Sequence, residues 1–267
     1  MSITKAMRER SKNGKRIYHL HIPRTSGMVI CNALYKTFID NEMLDGTPSH
    51  ESPAIMYDHE KMIEKPFISG HFAKNPIVCS DGAFEVFSIV RDPVEHYLSI
   101  AAYVSVSTGK CMSNEYMDEF LHGYITPFGV NELFSYSGDL QAKSLFCRIG
   151  FADKSIVALR DEDVVNDLNI VFVEKDMPTE NEIKNQINSM NIFSLQDRAK
   201  AVNWLDNKIF QLYGFRIDSS VNNVANCSKM NGFIPDKSHI KEIKKRSEID
   251  DYVYRIVNEK TRDSVLV

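Results

Sequence analysis

A chain of 267 residues, 43% hydrophobic and 25% charged, holds enough material for one large α/β domain or two small ones and for a substantial core. Its formal net charge of −4 gives no whole-molecule field for nucleic acid or acidic polysaccharide, so an anionic ligand needs a local basic pocket. Five cysteines, at 31, 79, 111, 147 and 227, form no Cys-x-x-Cys pair, which excludes the usual zinc and disulfide frameworks and reads as reduced thiols in a cytoplasmic protein.

The opening stretch MSITKAMRERSKNGKR is polar and basic, without an apolar signal segment, and no apolar run reaches membrane-spanning length. It reads as a flexible arm over 1–16 ahead of one domain over 17–267, with no membrane or nucleic-acid partner; the oligomeric state is not legible. IYHLHI (17–22) reads as a first strand. Ile30, Ala33, Leu34, Thr37 and Phe38 then recur on one helical face, so residues 23–27 form a strand-to-helix loop. Residues 40–65 are mixed and predict a loop with a short helix. PFISGHF (66–72) predicts a second strand ending at Gly70-His71, and FEVFSIV (84–90) a buried third.

Arg91-Asp92-Pro93 follows that third strand, with Asp92 as N-cap and Pro93 at the first helical position of the run Val94, Leu98, Ala101, Ala102, Ser105. Short helices are expected within 113–149, with Tyr97, Tyr103, Tyr116, Phe120, Tyr124, Phe128, Phe134 and Tyr136 mostly in the core. DLNIVFV (167–173) predicts another strand; Val202, Leu205, Ile209 and Leu212 mark a helix ending near Gly214; the charged, periodic stretch from Ser238 to Asn258 is helical. Strands alternating with helices predict one three-layer α/β domain with a mainly parallel central sheet, where ligands bind beyond the carboxyl ends of the strands.

Three polar clusters fall at such ends. In Pro23-Arg24-Thr25-Ser26-Gly27 a helix N-terminus supplies free amides and a favourable dipole, Arg24 a planar cationic fork, Thr25 and Ser26 hydroxyls, and Gly27 close backbone approach. That is equipment for a phosphate, although by itself it equally describes a helix start with an exposed arginine. No GxxxxGK[ST] is present. Arg91 emerges from a buried strand and requires a partner, either the local Asp92 or, together with Ser99 two turns on, a second phosphate. His71 closes the second strand and has the chemistry of a general base near neutral pH.

HIPRTSG resembles HIPKTGG, the 5′-phosphosulfate loop of sulfotransferases that use 3′-phosphoadenosine 5′-phosphosulfate (PAPS). SIVRDPVEHYLS, about 70 residues later, is similar to their 3′-phosphate segment, LRDPVxRxLS. GDLQAKSLFCR (138–148), NIVFVEKDM (169–177), NNVANCSKM (222–230) and IDDYVYRIV (249–257) follow in the family's order. The nearest branch is the carbohydrate type that includes heparan sulfate 2-O-sulfotransferases and short bacterial relatives. Arg24 stands where the family commonly has lysine, Ser26 replaces the first glycine of the pair, and Met28 replaces a hydroxyl residue.

The resemblance implies a P-loop-kinase-like sulfotransferase fold, PAPS as co-substrate, adenosine 3′,5′-bisphosphate (PAP) as product, and no metal. It implies that Arg24, Thr25, Ser26, Gly27 and Met28 bind the phosphosulfate and that Arg91 and Ser99, with Ser228 and Lys229 of the late loop, bind the 3′-phosphate. His71 is then the catalytic base and Arg24 the group facing the bridging oxygen. His21 packs or orients the loop; His19, His50, His59, His96 and His122 have weaker claims, with His59 an acceptor-site alternative. The acidic balance favours a small hydroxylated or amine-bearing acceptor over a glycan. Competing readings are a nucleotide kinase on a similar sheet and a non-catalytic nucleotide-binding protein.

Overall fold

The computed structural model describes residues 16–44, 65–79, 83–122, 138–151, 170–172, 176–217 and 233–263. At its centre β1 (Arg16–Leu20), β2 (Phe67–Gly70), β3 (Phe84–Val90) and β6 (Asn191–Ser194) form a sheet in the order β2-β1-β3-β6. Every neighbouring pair is parallel, with Ile17 opposite Phe67, Tyr18 opposite Val86 and Phe87 opposite Asn191. Parallel pairing requires crossovers, and helices supply them. α1 (Gly27–Asp40), α2 (Asn75–Cys79), α3 (Pro93–Ser107), α4 (Asn114–Leu121), α5 (Leu140–Phe146) and α6 (Glu180–Ser189) lie between the strands, and α7 (Arg198–Tyr213), α8 (Lys237–Arg246) and α9 (Glu248–Asp263) follow β6.

The two-residue period of the strands distributes their side chains between two layers. Ile17, Phe67, Phe87 and Ile89 pack with Ile30, Leu34 and Phe38 of α1 and with Val202, Leu205 and Ile209 of α7. Tyr18, Leu20, Ile68, Val86 and Val90 pack with Leu145 and Phe146 of α5, Ile183 and Ile187 of α6, and Val253 and Val257 of α9. Both faces are covered, which gives the expected three-layer α/β domain. A third cluster, including Leu98, Ala101, Met117, Phe120 and Ile243, joins α3, α4 and α8.

The helix after β3 starts as expected: Pro93 is its first residue and the Asp92 carboxylate accepts from the Glu95 amide at 3.0 Å. Tyr97, Tyr116 and Phe120 are core residues, whereas Tyr103 is exposed. The helix of 198–213 ends just before Gly214.

Three details differ from expectation. The apolar run 167–173 contributes β5 (Ile170–Phe172), which pairs antiparallel with β4 (Ile149–Phe151) in a separate ribbon and not in the main sheet. The fourth main strand is instead Asn-Ile-Phe-Ser, too short and polar to signal a strand by itself; its ladder with β3 determines its conformation. The charged stretch 238–258 divides into two helices at Ser247. Arg16, placed in the arm, opens β1; residues 1–15 lie outside the described residues, as does most of 40–65. Among the described residues no helix is long and apolar enough to cross a membrane.

Candidate functional site

Because β1, β2 and β3 run parallel, the segments that follow them share one end of the sheet. β1 lies between β2 and β3, and β6 extends the sheet beyond β3. The chain leaves β1 for one side and β3 for the other, which opens a crevice between their loops. Loop 23–26, His71 and Arg91 therefore meet there, although long stretches of sequence separate them.

The first loop is tightly wound. Arg24 (φ 64°) and Ser26 (φ 68°) both adopt the left-handed conformation, uncommon for residues with a Cβ and a mark of local strain. Ser26 makes no side-chain cap bond to α1, and a left-handed Ser26 followed by helical Gly27 is a backbone pattern that gathers amides into an anion-binding nest. The Thr25 hydroxyl donates to the Ile22 carbonyl at 2.8 Å, so as a donor it braces the loop. Gly27 sits on the His21 ring: a Cβ there would lie 1.8 Å from His21 Cδ2. Met28, in the first turn of α1, is 49% exposed.

From the other side α3 grips this loop. His96 Nε2–H donates to the Pro23 carbonyl at 2.8 Å. Burial, opposed by that bond and reinforced by the charges of Arg91 and Arg24, lowers the His96 imidazole to about 4, so the ring is a neutral donor. One turn further, Ser99 Oγ accepts from Arg24 Nε at 3.3 Å. The Arg24 guanidinium lies over the Tyr103 ring, 5.1 Å from its centroid, so the arginine extends along α3. Arg91 turns its guanidinium to Glu95, at 3.2 Å, while its own N–H and C=O are both bonded by the Gln141 side chain. Asp92 caps α3, and Glu95, not Asp92, is the ion partner of Arg91.

His71 hydrogen-bonds through Nδ1 to the His21 carbonyl at 2.6 Å. A carbonyl only accepts, so Nδ1 carries the proton and the neutral ring's lone pair is on Nε2, the tautomer of a general base. The His71 ring lies 4.4 Å from that of His21, which stacks on His19 at 5.5 Å, and His19 Nδ1 is 2.8 Å from Ser69 Oγ. The three histidines thus form a column from the sheet interior to the crevice. Among the described residues no group of three or more His, Cys, Asp or Glu is arranged to hold a metal ion.

The sequence assigned Arg24 and Ser99 to different phosphates; in the fold the two side chains touch, because β1 and β3 are adjacent. Two further residues join the site, His96, to which the sequence gave only a weaker claim, and Gln141. His96 faces the loop from the helical turn that follows the Asp92 cap, a position its spacing from Asp92 makes visible in retrospect. Gln141 lies in the segment GDLQAKSLFCR, which the sequence singled out only by resemblance and without a role for this residue. Ser228, Lys229, His50 and His59 lie outside the described residues. None of the family models, curated proteins or solved structures compared with this chain matches it.

Proposed function

We propose that this protein transfers a sulfuryl group from PAPS to a hydroxyl or amine of a small-molecule acceptor in the cytoplasm, on a P-loop-kinase-like sulfotransferase fold. The observation that carries this reading is the Arg24–Ser99 hydrogen bond, reinforced by His96 on the Pro23 carbonyl. It joins the two segments that resemble the family's phosphate-binding segments into one basic wall at the carboxyl end of a parallel sheet. In this reading Arg24 and the amides from Thr25 to Met28 receive the 5′-phosphosulfate. Arg91 and Ser99, with Ser228 and Lys229, receive the 3′-phosphate.

The acceptor atom attacks sulfur, the bond from sulfur to the bridging oxygen breaks, and PAP leaves with the added negative charge. Arg24 and the α1 N-terminus stabilise that charge, and His71 Nε2 takes the acceptor's proton. Strained loop geometry and the braces from α3 place these groups before the ligand arrives, so little reorganisation accompanies the reaction. A small acceptor fits a chain of net charge −4 better than an anionic polymer does.

Calorimetry with PAP, then transfer of labelled sulfate from PAPS to a panel of hydroxyl and amine acceptors, tests the reading. PAP is expected to bind and label to transfer; absence of PAP binding overturns it. His71→Ala is expected to retain PAP binding and to lose about 10²–10⁴-fold in transfer rate. Full transfer by that variant would remove His71 as the base.

A further inference from the structure

Arg91 leaves β3 where the ladder stops, since the last β3–β6 pair is Val90 with Ser194. A peptide at that point has a donor and an acceptor that no strand satisfies. Gln141 satisfies both. Its Oε1 accepts from the Arg91 N–H at 2.7 Å, and its Nε2 donates to the Arg91 C=O at 2.9 Å. The side-chain amide continues the sheet in place of a strand, and at 1% exposure Gln141 meets almost no competition from water.

Gln141 is itself held. Asp250, on α9, accepts from the amides of Gln141 at 3.2 Å and Ala142 at 2.7 Å in the first turn of α5. Asp139, just before α5, accepts from the amides of Ile249 at 2.7 Å and Asp250 at 3.0 Å in the first turn of α9. The two helices thus cap each other. The chain before α5 is also pressed onto the junction of α8 and α9: the Asp139 amide donates to the Arg246 carbonyl at 2.9 Å. A Cβ on Gly138 would lie 2.2 Å from that carbonyl oxygen, so only glycine fits.

We infer that Gln141 is a positioning residue for Arg91, and that the reciprocal Asp139 and Asp250 caps make the C-terminal helix the element that aims this arginine. Fixing the Arg91 peptide at both polar groups fixes the direction of its Cα–Cβ bond. The guanidinium then needs only side-chain rotation, from Glu95 to a phosphate, to bind. What Arg91 binds rests on the sulfotransferase reading; the holding of its peptide does not.

Two variants and two readouts test this. Gln141→Leu keeps the bulk and removes both bonds. Gln141→Glu keeps the acceptor, loses the donor, and retains a residue suited to a helix first turn, so it remains informative if the leucine variant fails to fold. The first readout is affinity for PAP against adenosine 5′-phosphate, which lacks the 3′-phosphate. Gln141→Leu is expected to weaken PAP about tenfold and the monophosphate by less than about threefold, with Gln141→Glu between wild type and leucine. Equal losses for both ligands, or unchanged PAP binding, overturn the inference. The second readout is amide hydrogen exchange without ligand. Exchange is expected to rise at Arg91 and Asp92 while α5 and α9 keep wild-type protection. If the wild-type protein binds neither nucleotide, the sulfotransferase reading falls and exchange alone decides: selective release of the Arg91 turn supports the inference, uniform or absent release overturns it.

Discussion

Arg24 and Arg91 are cations of the crevice among the described residues, and their surroundings give them different freedom. Arg24 is committed to α3, with a hydroxyl at Nε and an aromatic face beneath its guanidinium. Arg91 is 19% exposed and its partner Glu95 is 61% exposed, in an i,i+4 pair of the kind that contributes only a few tenths of a kcal/mol. A doubly charged phosphate displaces such a partner easily. Removing the competitor with Glu95→Gln is therefore expected to tighten PAP about two- to fivefold and to leave adenosine 5′-phosphate unchanged. Arg91→Ala should show the reverse selectivity, weakening PAP far more than the monophosphate. Titration calorimetry on both variants checks this pair, and equal shifts for the two nucleotides would take the 3′-phosphate away from Arg91.

At the scale of elements, the site depends on how four helices start. α3 carries its own cap in Asp92, whereas α1 begins on a left-handed serine, with Gly27 pressed against the His21 ring. Gly27→Ala must push that ring aside or lift the helix start, and His21 also carries the carbonyl that fixes the His71 tautomer. The variant is expected to lose about 1–3 kcal/mol in a denaturation curve, the range for overpacking a close contact. It should also lower transfer activity more than PAP affinity. An alanine variant of wild-type stability would show that the contact between α1 and β1 yields freely. α5 and α9 solve their starts jointly through Asp139 and Asp250, and further along α9 Lys260 caps the end of α6 by bonding the carbonyls of Ile187 at 2.9 Å and Met190 at 2.7 Å. The last helix is thereby tied to both the site-bearing turn and the sheet's covering layer.

Across the whole molecule, two buried groups give stability opposite slopes with pH. Burial, with the nearby Asp139 charge adding, raises the Asp250 carboxyl from 3.8 to about 7 against the pull of its amide partners. The folded protein then holds a proton that the unfolded chain has released, so this group's contribution declines as pH rises between those values. His96 is the converse: lowered from 6.5 to about 4, it binds its proton more readily in the unfolded chain, and its contribution is lost as pH falls through that window. The two slopes oppose each other in wild type. Asp250→Asn is expected to leave stability rising with pH between about 4 and 6.5, and His96→Gln to leave it falling between about 4 and 7. Denaturant midpoints across pH 4.5–8 read both slopes directly. Parallel pH curves for wild type and both variants would mean that neither group titrates in this range.

Much of this architecture can be read from the chain alone. The short apolar run FEVFSIV, the period of 3.6 after Ile30, the Asp-Pro helix start at 92–93 and the stop near Gly214 are local consequences of sterics and burial, and they suffice for a parallel α/β domain with polar loops at the strand ends. They also single out Arg24, His71 and Arg91 as residues at one end of the sheet. What no local pattern carries is adjacency. That β1 lies beside both β2 and β3, that Asn191–Ser194 is a strand while 170–172 pairs elsewhere, and that Arg24 meets Ser99 all depend on pairings between distant segments. The same holds for Gln141, whose neighbours in sequence say nothing of Arg91, and for Asp139 and Asp250, whose burial and mutual capping arise only when α5 and α9 pack. Secondary structure follows from interactions a few residues long, which the sequence displays. The aim of a side chain and the proton affinity of a buried carboxylate follow from what the folded chain places around them, and that is decided only by the tertiary structure.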